Sequence, residues 1–287
     1  MIKYNPREWF GLIFQFHKSD TLRKMFGVLI LFAICSGGIV YAELHYQSLF
    51  VFSNSIQIHS LLGFVIGLLL VFRANSAYDR WWEGRQQWGA LVNYSRNFSI
   101  RLISYLGAEE SRPLIRSTSN FVYAFKEHLR DGVKFEELDP NGLSDIEQLR
   151  TTDHVPNMIS LEMSNKINQY YEEGKISGEQ LINLDHYLRS FLDICGACER
   201  IKNTPIPYSY NLFLKKFIFT YCFTLPFGLA HDFHYWTIPI ATFILYIFGS
   251  LELLAEEIEE PFGLDDNDLA TDELAETIKR NLNELSK

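Results

Sequence analysis

The chain is short of cysteine, of clustered bases and, over two long runs, of any charge at all. Four cysteines in 287 residues do not make the disulfide framework of a secreted protein, and Cys35 and Cys222 fall inside apolar spans, so a reducing cytosol is expected on the wet side. With 26 Lys and Arg against 35 Asp and Glu, the net charge is −9 and no basic arm or stripe stands out. Nucleic acid is thereby excluded as a partner, because phosphate binding requires clustered cations. Alternating strand patterns, low-complexity linkers and internal repeats are also missing. Residues 25–42 and 233–251 contain no charged residue, whereas 73–216 carry charge throughout. Mean hydropathy near zero, −0.04, averages two very different kinds of sequence. A polytopic membrane protein with a large wet domain is predicted.

The first apolar run begins only at Met25, after Lys3, Arg7, Lys18, Arg23 and Lys24, and continues for 18 residues. This is the pattern of a spanning helix with positive flanks rather than of a cleavable signal peptide. Residues 1–24, with Trp9, Phe10, Leu12, Ile13, Phe14 and Phe16 among polar groups, read as an amphipathic segment at the membrane surface. Residues 25–72 hold two spans, Met25 to Ala42 and a second whose best helical portion is Ile58 to Phe72. Residues 217–251 hold two more, Phe217 to Ala230 and Phe233 to Leu251, with a tight turn at His231 and Asp232. Positive-inside logic places both termini and residues 73–216 in the cytoplasm. Residues 252–287 form an acidic cytosolic tail, with 12 acids against 3 bases.

The middle segment is predicted to be helical: one long stretch at 75–106, further helices at 110–130, 160–174 and 178–202, and a turn at Asp139-Pro-Asn-Gly142. Trp81, Trp82, Trp88, Leu91, Tyr94, Phe98 and Leu102 keep an apolar stripe on one side of the first. The fold class is all-α, with four transmembrane helices and a large helical cytosolic domain.

Several constellations have chemical readings. Gly63 and Gly67 stand at GxxxG spacing, which permits close helix approach. Beside them Phe64, Leu68 and Phe72 fall within about 80° of one another at 100° per residue. That arrangement suits a ring of identical helices around a narrow hydrophobic pore, although a stripe of this kind more often faces lipid or a neighbouring helix. Cys195-Gly-Ala-Cys198 has the CxxC spacing of redox sites but lacks the preceding strand they use, so two buried small residues of a helix is the better reading. His231 and His234 are spaced for a metal without a carboxylate cluster to complete it. Asp265 and Asp268 are candidate ligands for a hard cation, in a segment that departs from the EF-hand pattern at Leu269 and Ala270. Glu252, Glu256, Glu259 and Glu260 recur on one face of the helix that continues from the fourth span, as a solvated face or, in a ring-shaped oligomer, an electronegative vestibule. Between Pro205 and Pro207, Ile206 sits where the last wet helix must stop.

Three pieces, Phe72-Arg-Ala-Asn-Ser-Ala-Tyr-Asp-Arg-Trp-Trp-Glu-Gly-Arg85, Cys198-Glu-Arg-Ile-Lys-Asn-Thr-Pro-Ile-Pro207 and Glu259-Glu-Pro-Phe-Gly-Leu-Asp-Asp-Asn-Asp268, resemble the bestrophin family of ion channels, prokaryotic branch. The likeness covers nearly the whole chain. It implies a homopentamer around a central pore in the bacterial inner membrane, with itself, membrane lipids and permeant small ions as partners, and no enzyme activity. It places the hydrophobic neck at Phe64, Leu68 and Phe72 and a cytosolic aperture at Ile206. In calcium-gated members the acidic cluster holds calcium, which maps onto Asp265 and Asp268. Glu260 and Leu264 stand here where animal members carry Asn and Glu, which argues against calcium regulation, and no cofactor is expected to be required. The acidic tail favours monovalent cations, with chloride the alternative. A membrane oxidoreductase using the CxxC, a secondary transporter and a purely structural scaffold are the readings from other classes.

Overall fold

The computed structural model describes residues 20–46, 55–143 and 146–286. Residues 1–19 of the expected surface segment lie outside them. The described elements are helical: α1 (Asp20–His45), α2 (Ser55–His128), α3 (Ile146–Arg150), α4 (Val155–Glu172), α5 (Gly178–Asn203), α6 (Tyr208–Phe233), α7 (Thr237–Glu259) and α8 (Thr271–Leu285), with short 3-10 turns between some of them. Among the described residues there is no strand. Three helical stretches, Thr21–His45, Gln57–His128 and Tyr208–Glu259, are long and apolar enough to cross a membrane by length and composition.

The chain divides into two compact units, one from residues 2–79 and 205–259, the other from 80–204 and 260–287. In the first, the apolar unit, α1 packs on α6 and α7, which also pack on each other. Its small core joins Ile66 and Leu70 of α2 to Leu214, Ile218, Cys222 and Leu225 of α6 and Ala241 of α7. Gly249 admits Met25, since a Cβ there would overlap the Met25 Cε. Pro226 stays inside α6 without ending it. The turn expected at His231 and Asp232 falls later, in a 3-10 turn at His234–Trp236, where His234 takes the left-handed φ of 50°.

In the second, the helical unit, the core is larger and rich in rings. Trp88, Leu91, Phe98 and Leu102 of the expected stripe are fully buried, Trp81 and Tyr94 are half-buried, and Trp82 is exposed. Trp88 stacks on Phe125 at 5.3 Å between centroids, and Phe121 stacks on Phe191 at 5.5 Å. The expected break between two helices is marked at one residue, Gly107, whose φ of 78° and ψ of 169° leave the helical region that residues on either side keep. α5 opens on a capping box formed by Ser177 and Gln180, which satisfies two amides that the first turn leaves bare. Residues 271–285, expected only as an acidic tail, form α8 and bury Ala275, Ile278 and Leu282 at helical spacing.

Candidate functional site

α2 carries the expected stripe, and its two faces differ. At about 100° per residue, Ile66, Leu70, Arg73 and Ala77 lie within about 60° of one another, roughly opposite Phe64, Leu68 and Phe72. The first four are buried inside the apolar unit. The stripe is not: Phe64 is 70% exposed, Leu68 47% and Phe72 56%. The chain thus turns one face of the helix into its own core and leaves an aromatic face without a partner of its own. Gly63 serves the buried side, because a Cβ there would meet the Tyr221 hydroxyl at 2.7 Å, whereas a Cβ at Gly67 would meet nothing within 4 Å. The close approach that Gly63 permits is therefore made to α6 of the same chain.

Directly after Phe72, Arg73 enters a buried ion cluster that the sequence reading missed. Its Nη2 donates to Glu259 Oε2 at 2.6 Å, and its Nε lies 3.6 Å from Glu252 Oε2. All three side chains are almost fully buried. The second oxygen of Glu259 accepts the backbone N–H of Ile206 at 2.7 Å. One carboxylate thus fixes the segment between Pro205 and Pro207 and neutralises the arginine that follows the stripe. Ile206 itself is half-buried and non-helical. The seven-residue interval between Glu252 and Glu259 was the available signal, for it puts both on one face of α7 with an unmatched arginine at the end of the second span. Instead of one uniformly solvated face, these acids are divided: Glu252 and Glu259 meet Arg73, Glu256 meets Lys215 at 2.9 Å and Glu260 is exposed, while the neighbouring Glu257 meets Lys24 at 3.0 Å.

Within the helical unit, the first of the three sequence pieces singled out above meets each of the other two. Arg80 donates to the carbonyls of Ile201 and Thr204, and Arg200 pairs with Glu83. Trp81 Nε1 donates to Asn267 O at 3.0 Å. Gly84 admits the Phe262 ring, since a Cβ there would lie 3.1 Å from two of its carbons. Glycine is needed at this point for contact rather than for backbone freedom.

The acidic turn after Phe262 is folded on itself. Asp268 is buried, its Oδ2 accepts the Asp265 N–H at 2.7 Å, and its own N–H donates to Asp265 O at 3.1 Å. Gly263 makes room, because a Cβ there would stand 2.7 Å from Asp268 Oδ2. Asp265 is exposed. One oxygen of the buried carboxylate is thus taken by an amide; a calcium ion held here would take six to eight oxygen ligands.

Cys195 and Cys198 are buried inside α5. Burial pushes both thiols well above their ordinary range, with Glu199 and Glu83 adding to the effect. That is the opposite of what a reactive CxxC needs. His231 and His234 are exposed at the α6 terminus and belong to no three-ligand cluster among the described residues.

The sequence profile described as Bacterial/Fungal Bestrophin protein matches residues 1–284. The chain belongs to the bestrophin family. It is 34% identical to the voltage-dependent anion channel-forming protein sll1024 of Synechocystis over 98% of this chain and 92% of that one. It is 32% identical to the voltage-dependent anion channel-forming protein YneE of Escherichia coli K12, over 98% and 93%. Among solved structures, a variant of a bacterial bestrophin homologue from Klebsiella pneumoniae aligns with a TM-score of 0.86 at 31% identity, covering 92% of this chain and all of that one. The family, the membrane class and the all-helical fold expected from the sequence are thus established.

Proposed function

We propose that this bestrophin is a homopentameric channel for monovalent ions in the bacterial inner membrane, with both termini cytoplasmic. α1, the apolar part of α2, α6 and α7 are its four spans, and the helical unit is its cytosolic domain. The carrying observation is the two-faced α2: an exposed stripe of Phe64, Leu68 and Phe72 opposite a face buried within the chain. Five such stripes facing one axis make a neck without dipoles to replace an ion's hydration shell, so the neck gates by dewetting and leaves selectivity to other parts of the pathway. Ile206, held by Glu259, forms the cytosolic aperture.

Cation preference rests on the acidic C-terminal stretch, repeated fivefold. At least five of its 12 acids are ion-paired within the chain, yet the rest outnumber its 3 bases. Their attraction acts only within a Debye length of roughly 8 Å at physiological salt. The second reading, anion conduction, is favoured by the names of the relatives. Purified protein decides between them. Light scattering in mild detergent should give a pentamer of about 170 kDa from chains of 33.5 kDa, and bilayer currents under a KCl gradient should reverse toward the potassium potential. Reversal toward the chloride potential selects the anion reading; a monomer without current removes the channel altogether. The turn at Asp265 and Asp268 is proposed as structural, so chelation of calcium should leave the melting temperature unchanged.

A further inference from the structure

The helical unit contains a second group of side chains, apart from the residues assigned above to the neck and the aperture. His128 is the last residue of α2, His154 is the N-cap of α4, and Glu199 lies near the end of α5. Nε2 of His128 and Nε2 of His154 each stand 2.7 Å from the same oxygen, Glu199 Oε1. Their rings are 4.4 Å apart between centroids, and one ligand atom from each of the three residues lies within 4.8 Å of the others. All three residues are half-buried. Two imidazoles aimed at a single carboxylate oxygen occupy more nitrogen at that point than a hydrogen-bonded pair needs.

The surroundings hold each member in place. Lys202 Nζ donates to the carbonyls of His128 at 3.3 Å and Arg130 at 2.8 Å, fixing the end of α2 against α5. The Asn157 N–H donates to His154 Nδ1 at 3.3 Å, and the buried Cys195 thiol approaches Glu199 Oε1 at 3.8 Å from one turn earlier on the same helix. The group therefore joins three helices that are far apart in sequence, on a scaffold whose own contacts set the side-chain directions.

We propose that His128, His154 and Glu199 form a site for zinc or a similar borderline divalent metal, with two imidazole nitrogens and one carboxylate oxygen as ligands. Calcium and magnesium take shells of oxygen, whereas this donor set suits zinc, with water in the fourth position. Tetrahedral zinc with bonds of about 2.0–2.1 Å separates neighbouring ligand atoms by roughly 3.3 Å. The present nitrogen-to-oxygen contacts need open only by about half an ångström for an ion of that kind to enter between them. A metal at His154 Nε2 requires the tautomer with the proton on Nδ1, which gives up the long bond from the Asn157 N–H. Each ligand comes from a different helix, so a bound ion links them and stabilises the folded unit by mass action.

The test uses the full chain in detergent after exhaustive chelation. Added ZnCl2 should raise the melting temperature by several degrees, with one zinc per chain retained after desalting, and MgCl2 should have no such effect. His154→Asn keeps an N-cap, since Asn caps helices as well as any residue, and Glu199→Gln keeps a hydrogen-bonding oxygen; each should weaken zinc binding at least about tenfold. Their melting temperatures in chelator, compared with the parent's, separate loss of fold from loss of ligand. No zinc-dependent rise in the parent, or a rise undiminished in both variants, would show that the three residues are a hydrogen-bonded clasp and nothing more.

Discussion

The C-terminal stretch puts carboxylates into both units, and the two units use them differently. In the apolar unit, Glu252 and Glu259 are buried around Arg73, which is itself 1% exposed. In the helical unit, Asp272 at the start of α8 meets Arg130 and Lys126 with its side chain still 57% exposed. Both look alike as ion pairs. Burial makes them different: in the first every charge is out of water, whereas in the second the carboxylate stays wet and its buried partners keep others, Arg130 pairing also with Glu127 and Lys126 with Glu127 and Glu137. The difference also fits their tasks, since Glu259 fixes a backbone amide beside the proposed aperture and Asp272 docks a surface helix.

Glu259→Ala attacks the stronger side of that contrast and should have the largest effect. It removes the hydrogen-bonded partner of a buried arginine and the acceptor of the Ile206 N–H, at a cost of about 3–5 kcal/mol, read as a large drop in melting temperature in detergent. Glu259→Gln separates the two roles, because the amide oxygen still accepts from Ile206 while the charge on Arg73 loses its close counterpart. A melting temperature for Glu259→Ala no lower than that of an Asp272 variant would break the comparison.

A second test sets the two faces of α2 against each other. Leu70 is 3% exposed in the core of the apolar unit, so Leu70→Ala should cost about 2–5 kcal/mol through the cavity it leaves. Alanine at Phe64, Leu68 and Phe72 together should cost the chain's own fold far less and raise single-channel conductance or open probability, with the permeability ratio mostly intact. A swing of the reversal potential from one ion sign to the other in the triple variant would move selectivity into the neck.

What the sequence made legible follows from which signals are local. Uncharged runs locate apolar helices because the cost of burying charge is paid residue by residue, and the Trp88 to Leu102 spacing shows a buried face because helical periodicity is local. The stripe on α2 was equally readable, but its opposition to Ile66, Leu70 and Arg73 was not, since only packing reveals which side the chain itself covers. Gly63 illustrates the limit: GxxxG spacing announces a close approach without naming the neighbour, which is Tyr221 of the same chain. The Arg73 cluster, the folding of 260–270 against Gly84, and the meeting of His128, His154 and Glu199 all join segments many helical turns apart in the sequence. Local patterns cannot register such pairs.

Ile206 provides a third and smaller test, placed at the seam of the first contrast because Glu259 holds its backbone and leaves its side chain half-buried. Ile206→Ala should keep the pentamer and its melting temperature while increasing flux and admitting larger ions. Unchanged conductance with a markedly lowered melting temperature would transfer Ile206 from the aperture to the core.

The smallest effect is expected from Asp272→Asn, which attacks the weaker side. The Arg130 guanidinium grips Asp272 through its two terminal nitrogens, Nη1 and Nη2, at 3.1 and 2.7 Å, and Lys126 adds a contact at 2.8 Å. Hydrogen bonds from Arg130 first, and then Lys126, against the opposing effect of burial, hold the Asp272 carboxyl well below the usual carboxylate range. A depressed folded-state pKa means that the stabilisation is present above the unfolded value, about 3.9, and is lost as pH falls through the folded one. The parent should therefore lose this contribution only in acid below about pH 4. Solvent screening at so exposed a side chain limits the contribution to no more than about 1 kcal/mol. Thermal melts at pH 7 should show a small deficit for Asp272→Asn, shrinking further at 0.5–1 M salt as the Debye length contracts to about 3–4 Å, and the parent and variant should converge as the pH approaches 2. A deficit at neutral pH as large as that of Glu259→Ala, or one indifferent to salt, would mean that exposure is not what separates the two uses of the acidic stretch.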